Sequence, residues 1–230
     1  MIIDIKLDKI IMLEIIFKEN EKEKDSFVSP HRGYKLMKYD IERLADILYI
    51  LSKNKQHLTK LRICKLLYFI DKFHLQKYGR FVLGDIYHSL QFGQIPSLTL
   101  NILNDFFGPE ITFRGKPIKS NPNLLKDYFI QGKYQNKYPA LILNKEFNFK
   151  SLSDSEVEII SQVLKKFGRY SDASLVNLSH KEATWQKTPV PQQINPELFL
   201  DDLPEDEKKR IAELMTIDEA DDSLVDCLNR

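Results

Sequence analysis

Only two of the 230 residues are cysteine, Cys64 and Cys227. Two thiols make no disulfide framework, and no Cys-x-x-Cys spacing exists, so both read as reduced. Glycine is scarce at eight residues, which leans against an all-β fold with many tight turns and toward helices. The chain has no phosphate-cradling glycine loop, no Gly-x-Ser-x-Gly elbow and no His-x-x-x-His pair. His57, His74, His88 and His180 fall in four separate segments, so a zinc site would have no local motif. No apolar run reaches the length that crosses a bilayer. The apolar start MIIDIKLDKIIMLEIIF is interrupted by Asp4, Lys6, Asp8, Lys9 and Glu14 and is followed by no small-residue cleavage site. These absences point to a cytoplasmic protein without metal, cofactor or recognisable catalytic centre.

What is present centres on residues 58–78, LTKLRICKLLYFIDKFHLQKY. Thr59 is suited to an N-cap and Gly79 to the left-handed residue after a helix, which brackets about 20 residues, or roughly 30 Å. At 100° per residue Ile63, Leu66, Leu67, Ile70 and Phe73 share one face, flanked by Leu61, Cys64, Tyr68 and Leu75. A helix apolar over so much of its circumference must be wrapped by others. Only one narrow strip is left for an outer face: Arg62, Lys65, Phe69, Lys72 and Gln76. The expected fold is therefore mainly α, a compact multi-helix single domain around a central buried helix, with room for a minor β-hairpin.

Ile63, Lys65, Leu66, Leu67, Tyr68 and Asp71 of that helix together resemble the signature of the Panacea (SocA-like) antitoxin domain. His74, Gly79, Arg80, Gly84 and the step Phe92-Gly93 follow in the family's order. The match departs at Gln94, where the family usually has proline; Pro96 comes two residues later. A second match closes the pattern downstream with Gly168, Tyr170, Leu175, Leu178, Ser179, His180 and Trp185. The resemblance implies an antitoxin of a bacterial or phage toxin–antitoxin system. It would neutralise its cognate toxin, encoded by an adjacent gene, through direct protein–protein binding. A protease is a further partner the resemblance allows.

The chain divides on this reading into an N-terminal extension (1–36), the Panacea-like helical domain (37–190) and an acidic C-terminal extension with a helix (191–230). Asp40 is placed to cap a first helix with Ile41, Leu44, Leu48 and Leu51 inward. Ser97 is placed to cap a helix through Phe107, with Leu98, Ile102, Leu103 and Phe106 inward. Residues 111–150 read as loop-rich, with only a weak hairpin signal at Ala140–Leu143. Ser153 and Glu156 form a capping-box pair ahead of the stripe Val157, Ile160, Val163, Leu164 and Phe167. Pro204 opens an amphipathic helix over residues 203–215.

Charge is uneven although the formal net is only +1. Eight basic residues between Lys53 and Arg80 face a single acid, Asp71, whereas eleven acids lie between Asp201 and Asp226. The basic stretch 53–80 offers an alternative reading as a nucleic-acid-binding regulator, weakened because the second helix has too little free face for a groove. An enzyme built on Asp71 and His74, three residues apart on one helix, is the remaining alternative. Mutual or backbone satisfaction of that pair is the commoner arrangement. For partner binding the strip Arg62, Lys65, Phe69, Lys72 and Gln76 is the expected surface, since aromatic and cationic side chains together suit an interface hot spot.

Overall fold

The computed structural model describes residues 41–54, 56–107, 123–148 and 150–215. Helix α1 (Ile41–Lys53) leads through the short strand β1 (Leu58–Thr59) into α2 (Lys60–Tyr78). The hairpin β2 (Tyr87–Leu90) and β3 (Gly93–Pro96) follows, then α3 (Ser97–Phe107). Next come α4 (Asn123–Tyr128) and a second hairpin, β4 (Phe129–Tyr134) with β5 (Tyr138–Leu143). The chain continues through α5 (Asp154–Phe167), α6 (Asp172–Ser179) and α7 (Ala183–Gln186). A 3-10 turn (Pro196–Leu200) and a helix over 205–215, α8, complete the described part. The fold is mainly α with two small antiparallel sheets, one in the order β1-β5-β4 and one of β2 with β3.

Helix α2 is the hub, packed against α3, α5, α6, β3 and the 3-10 turn. Its ends follow the expected chemistry. The Thr59 hydroxyl accepts from the Arg62 N–H, and Gly79 takes the left-handed conformation at φ 77° while its N–H returns to the Leu75 carbonyl. Tyr68 and Tyr87 stack edge-on around Phe199 on one side of α2; Phe69 and Phe167 meet at 4.4 Å between centroids on the other.

Three expectations change in detail. The region read as loop-rich holds a full hairpin of two six-residue strands. Its turn places both Gln135 and Asn136 at positive φ (51° and 54°), with the Lys137 N–H donating to the Tyr134 carbonyl. The cap of α3 is not Ser97 but Asp85, whose carboxylate accepts from the N–H groups of Leu98 and Thr99 and from the Thr99 hydroxyl. Thr99 is buried by that contact, and Leu98 turns half outward. Finally, packing does not stop at residue 190. Ile194, Phe199, Leu200 and Ile211 are part of the same core as α2, and the Ile194 N–H bonds the Tyr87 carbonyl. The N-terminal extension 1–36, Asp40, and residues 216–230 of the acidic extension, Cys227 among them, lie outside the described residues. No described helix is long and apolar enough to cross a membrane.

Candidate functional site

The strip expected to face outward does not. Arg62 is 2% exposed, Lys65 0%, Phe69 1% and Lys72 5%, and Gln76 is half-buried. The reason is that acids and carbonyls from later segments cover the polar side of α2. Arg62 is gripped by the Asp172 carboxylate at 2.7 Å, by Gln56 at 3.0 Å and by the carbonyls of Gly168 and Tyr170. Lys72 pairs with Glu182 and, at 3.0 Å, with Asp202, and Gln76 donates to Asp202 and the Phe199 carbonyl. Phe69 lies against Phe167. The strip is the seam that binds α6, α7 and the 3-10 turn to α2. The expected outward face is thereby corrected.

The other described cations of this stretch also have partners, although Lys53 and Lys77 stay about half exposed. Lys53 meets Glu146, Lys60 the Asn104 side chain, Lys77 Glu158, and Arg80 Glu156. Lys55 lies outside the described residues.

Asp71 and His74 do not act on each other. Asp71, 1% exposed, accepts from the N–H groups of Val82 and Leu83 at 2.8 and 2.9 Å and from the Tyr87 hydroxyl at 2.8 Å. Burial pushes its carboxyl up to about 7 against the pull of those three donors. His74 bonds the Arg80 carbonyl through Nδ1 and the Ser155 hydroxyl through Nε2, and burial lowers its pKa. Both side chains hold the loop that follows α2. No group of three or more His, Cys, Asp or Glu with metal-holding geometry occurs among the described residues.

The remaining sequence-singled residues converge elsewhere. Lys65, at 0% exposure, reaches from α2 to the carbonyl of Gln94 in β3 at 2.9 Å. No carboxylate among the described residues is within ion-pairing distance of its ammonium. Burial alone dominates, lowering its pKa to about 7. The Gln94 amide donates to the Ser179 carbonyl at 3.0 Å and to the Thr184 hydroxyl at 2.7 Å. Thr184 also contacts the Tyr68 hydroxyl at 2.7 Å, and Tyr68 donates to Glu182. Burial holds the Tyr68 hydroxyl well above its ordinary pKa, so it stays protonated and donating.

Gly93 sits at the centre of this arrangement with φ 89°. A Cβ there would collide with Ser179 Oγ and come to 2.6 Å from Lys65 Nζ. Glycine is needed both for the turn and for the close approach. Over the cluster, the His180 ring stacks on Trp185 at 4.1 Å, and the indole N–H donates to the Leu90 carbonyl at 2.9 Å. Sequence reasoning named Lys65, Tyr68, Gly93, His180 and Trp185 but missed Thr184, which no local pattern marks. Gln94, the departure from the proline of the family pattern, puts a fully buried amide at the middle of the network.

Elsewhere the surface carries exposed apolar side chains. Ile130 and Ile142 face each other across β4 and β5, each nearly half exposed, with Tyr138 near the hairpin tip and Phe92 in the β2–β3 turn.

A family model described as antitoxin SocA-like, Panacea domain, matches residues 63–186. No curated protein and no solved structure matches the chain. The matched span covers more than half of the 230 residues and runs from α2 to α7, so it takes in both the loop-holding residues and the Lys65–Gln94–Ser179 cluster. The chain belongs to the SocA-like antitoxin family, defined by its Panacea domain.

Proposed function

We infer that this protein is the antitoxin of a toxin–antitoxin system, of bacterial or phage origin, and that it neutralises a toxin from an adjacent gene by direct protein contact. The observation that carries the reading is the family match across the whole central part of the fold. Two features support contact over catalysis or nucleic-acid binding. The polar side chains of α2 are engaged within the fold, and apolar side chains such as Ile130, Ile142 and Tyr138 are available outside. An antitoxin working in the cytoplasm by contact needs no cofactor; delivery of the toxin to a protease is compatible with the same binding step.

The test is co-expression. Induction of the neighbouring gene alone should arrest growth, and this protein should restore it while co-purifying with the toxin. A neighbouring gene that is harmless without this protein would sink the assignment.

A further inference from the structure

Strand β4 stands at the edge of its sheet, in the order β1-β5-β4. The ladder fixes which backbone groups face outward there. The Asn144 N–H donates to the Tyr128 carbonyl, so the register makes Ile130–Ile142 and Gly132–Ala140 hydrogen-bonded pairs. Phe129, Gln131 and Lys133 alternate with them and turn their N–H and C=O groups away from β5. Pro139, which has no N–H to give, stands opposite Lys133 in agreement with that alternation. Gln131 and Lys133 are exposed, and the outward backbone groups bond nothing among the described residues. The Gln131 side chain is tied back to the Phe106 carbonyl at 2.7 Å, which steadies the middle of the strand.

Proteins usually blunt such an edge with proline, a bulge or several charges. β4 pairs with β5 through all six residues without a bulge, and Lys133 is its single charge.

The strand is also complementary to itself. Laid antiparallel against a copy about a two-fold axis at Gln131, it brings Gln131 opposite Gln131, and Phe129 opposite Lys133 of the copy. All the outward groups then find partners inside the strand. An axis moved one residue either way pairs an outward residue with α4 or with the Gln135 turn instead. On the outer face the same axis sets the half-exposed Ile130 opposite Gly132 of the copy, the one position in β4 without a side chain. There it meets Ile142, whose Cδ1 already reaches within 2.0 Å of where a Gly132 Cβ would sit. The edge lysine faces phenylalanine rather than its own like charge.

We propose that β4 is the contact between two copies of this chain, paired edge to edge in the antiparallel register centred on Gln131. The two sheets become one, and its outer face carries Ile130 and Ile142 of both copies side by side. The pairing lies in the plane of the sheet, so that face stays open to a further partner. Nothing in this depends on the antitoxin reading. A contact one strand wide buries less than the roughly 1,200 Å² at which stable interfaces begin, so the dimer is weak and forms with rising concentration.

Sedimentation of the full chain over roughly 1–300 µM should show a monomer–dimer equilibrium. Gln131→Pro removes the central donor without removing a backbone bond the fold uses, and an edge strand tolerates proline there. It should weaken the dimer about tenfold or more. Ile130→Asp, made at a half-exposed side chain, should do the same at the parent's melting temperature, and it decides the matter if proline disturbs the strand. Oxidation in a Cys227→Ser background reads the register. Gln131→Cys should give a disulfide-linked dimer, because the axis sets the two Cα atoms about 5.5 Å apart. Lys133→Cys should not, because four residues of strand, about 13 Å, separate it from its copy. A chain monomeric throughout, a dimer unchanged by Ile130→Asp, or Lys133→Cys linking as readily as Gln131→Cys overturns the proposal. Amide exchange at Gln131 identifies a different occupant. Protection already complete in dilute monomer gives the edge to another segment of the same chain, and protection only with the adjacent-gene product gives it to that protein. Either result overturns the pairing of copies.

Discussion

The Asp71 carboxylate and the Tyr87 hydroxyl meet at 2.8 Å inside the core, joining the middle of α2 to the first residue of β2. With the N–H groups of Val82 and Leu83 on its other oxygen, Asp71 fixes the path of the chain between the central helix and the first hairpin.

Replacing Asp71 with leucine leaves these three donors buried and unpartnered, at about 1–3 kcal/mol each. Asparagine keeps an acceptor for the two N–H groups and can donate to Tyr87. Urea unfolding should therefore show Asp71→Leu less stable than Asp71→Asn by more than about 2 kcal/mol. Equal losses would mean that the carboxylate is not what holds the loop.

Arg62 makes a second test of interior chemistry. Its planar fork serves an acid, an amide and two carbonyls that a lysine cannot reach together. Arg62→Lys should unfold at clearly lower denaturant than the parent, and Arg62→Ala should lose about 3–5 kcal/mol, as when a buried pair loses one member. A neutral Arg62→Ala in the same assay would show that the pocket closes or fills with water at no cost.

Gly93 is expected to reject even a methyl group. Its φ of 89° and the proximity of Lys65 Nζ and Ser179 Oγ both oppose a side chain. Gly93→Ala should cost about 1–3 kcal/mol in thermal or chemical unfolding. An unchanged midpoint would show that the turn relaxes away from α2 freely.

The pH dependence of stability has a sign that burial dictates. Asp71 titrates near 7 in the folded state against about 4 when unfolded, so between these values the folded chain holds the extra proton and stability falls as pH rises. Lys65 titrates near 7 folded and about 10.4 unfolded, so from 7 upward the unfolded chain holds the extra proton and stability rises. Together they contribute a minimum near neutrality. Lys65→Met should remove the rising limb between about pH 7 and 10 in thermal melts, and Asp71→Asn the falling limb between about 4 and 7. A Lys65→Met profile parallel to the parent would show that Lys65 is charged at all these values.

The sequence revealed the helices because apolar periodicity and caps are local signals. Thr59 and Gly79 stand where their chemistry places them, and of the α5 stripe Ile160, Val163 and Phe167 are buried, with Leu164 and Val157 only partly so and Ile159 inside beside them. It also revealed the family, through positions spread along α2 and the Ser179–Trp185 segment. It did not reveal that Arg62, Lys65 and Lys72 are inside, because their partners lie far along the chain. Asp172 is 110 residues from Arg62, and Asp202 is 130 from Lys72. A polar strip looks the same in sequence whether water or a distant acid satisfies it. The β4–β5 hairpin was faint for another reason. Its turn uses Gln135 and Asn136 rather than a glycine, and β4 is interrupted by Gly132, which Ile142 covers from across the pair.

Asp46, Asp71 and Asp85 share one habit: each is buried in the core and holds the backbone N–H groups of a neighbouring segment, at Lys150 and Ser151, at Val82 and Leu83, and at Leu98 and Thr99. The connections around α2 are thus anchored from within. Their outward side chains are released from any duty to shape the loops they stand on. Such a scaffold can change its exterior residue by residue while its interior stays the same, so a new partner can be met by surface drift alone.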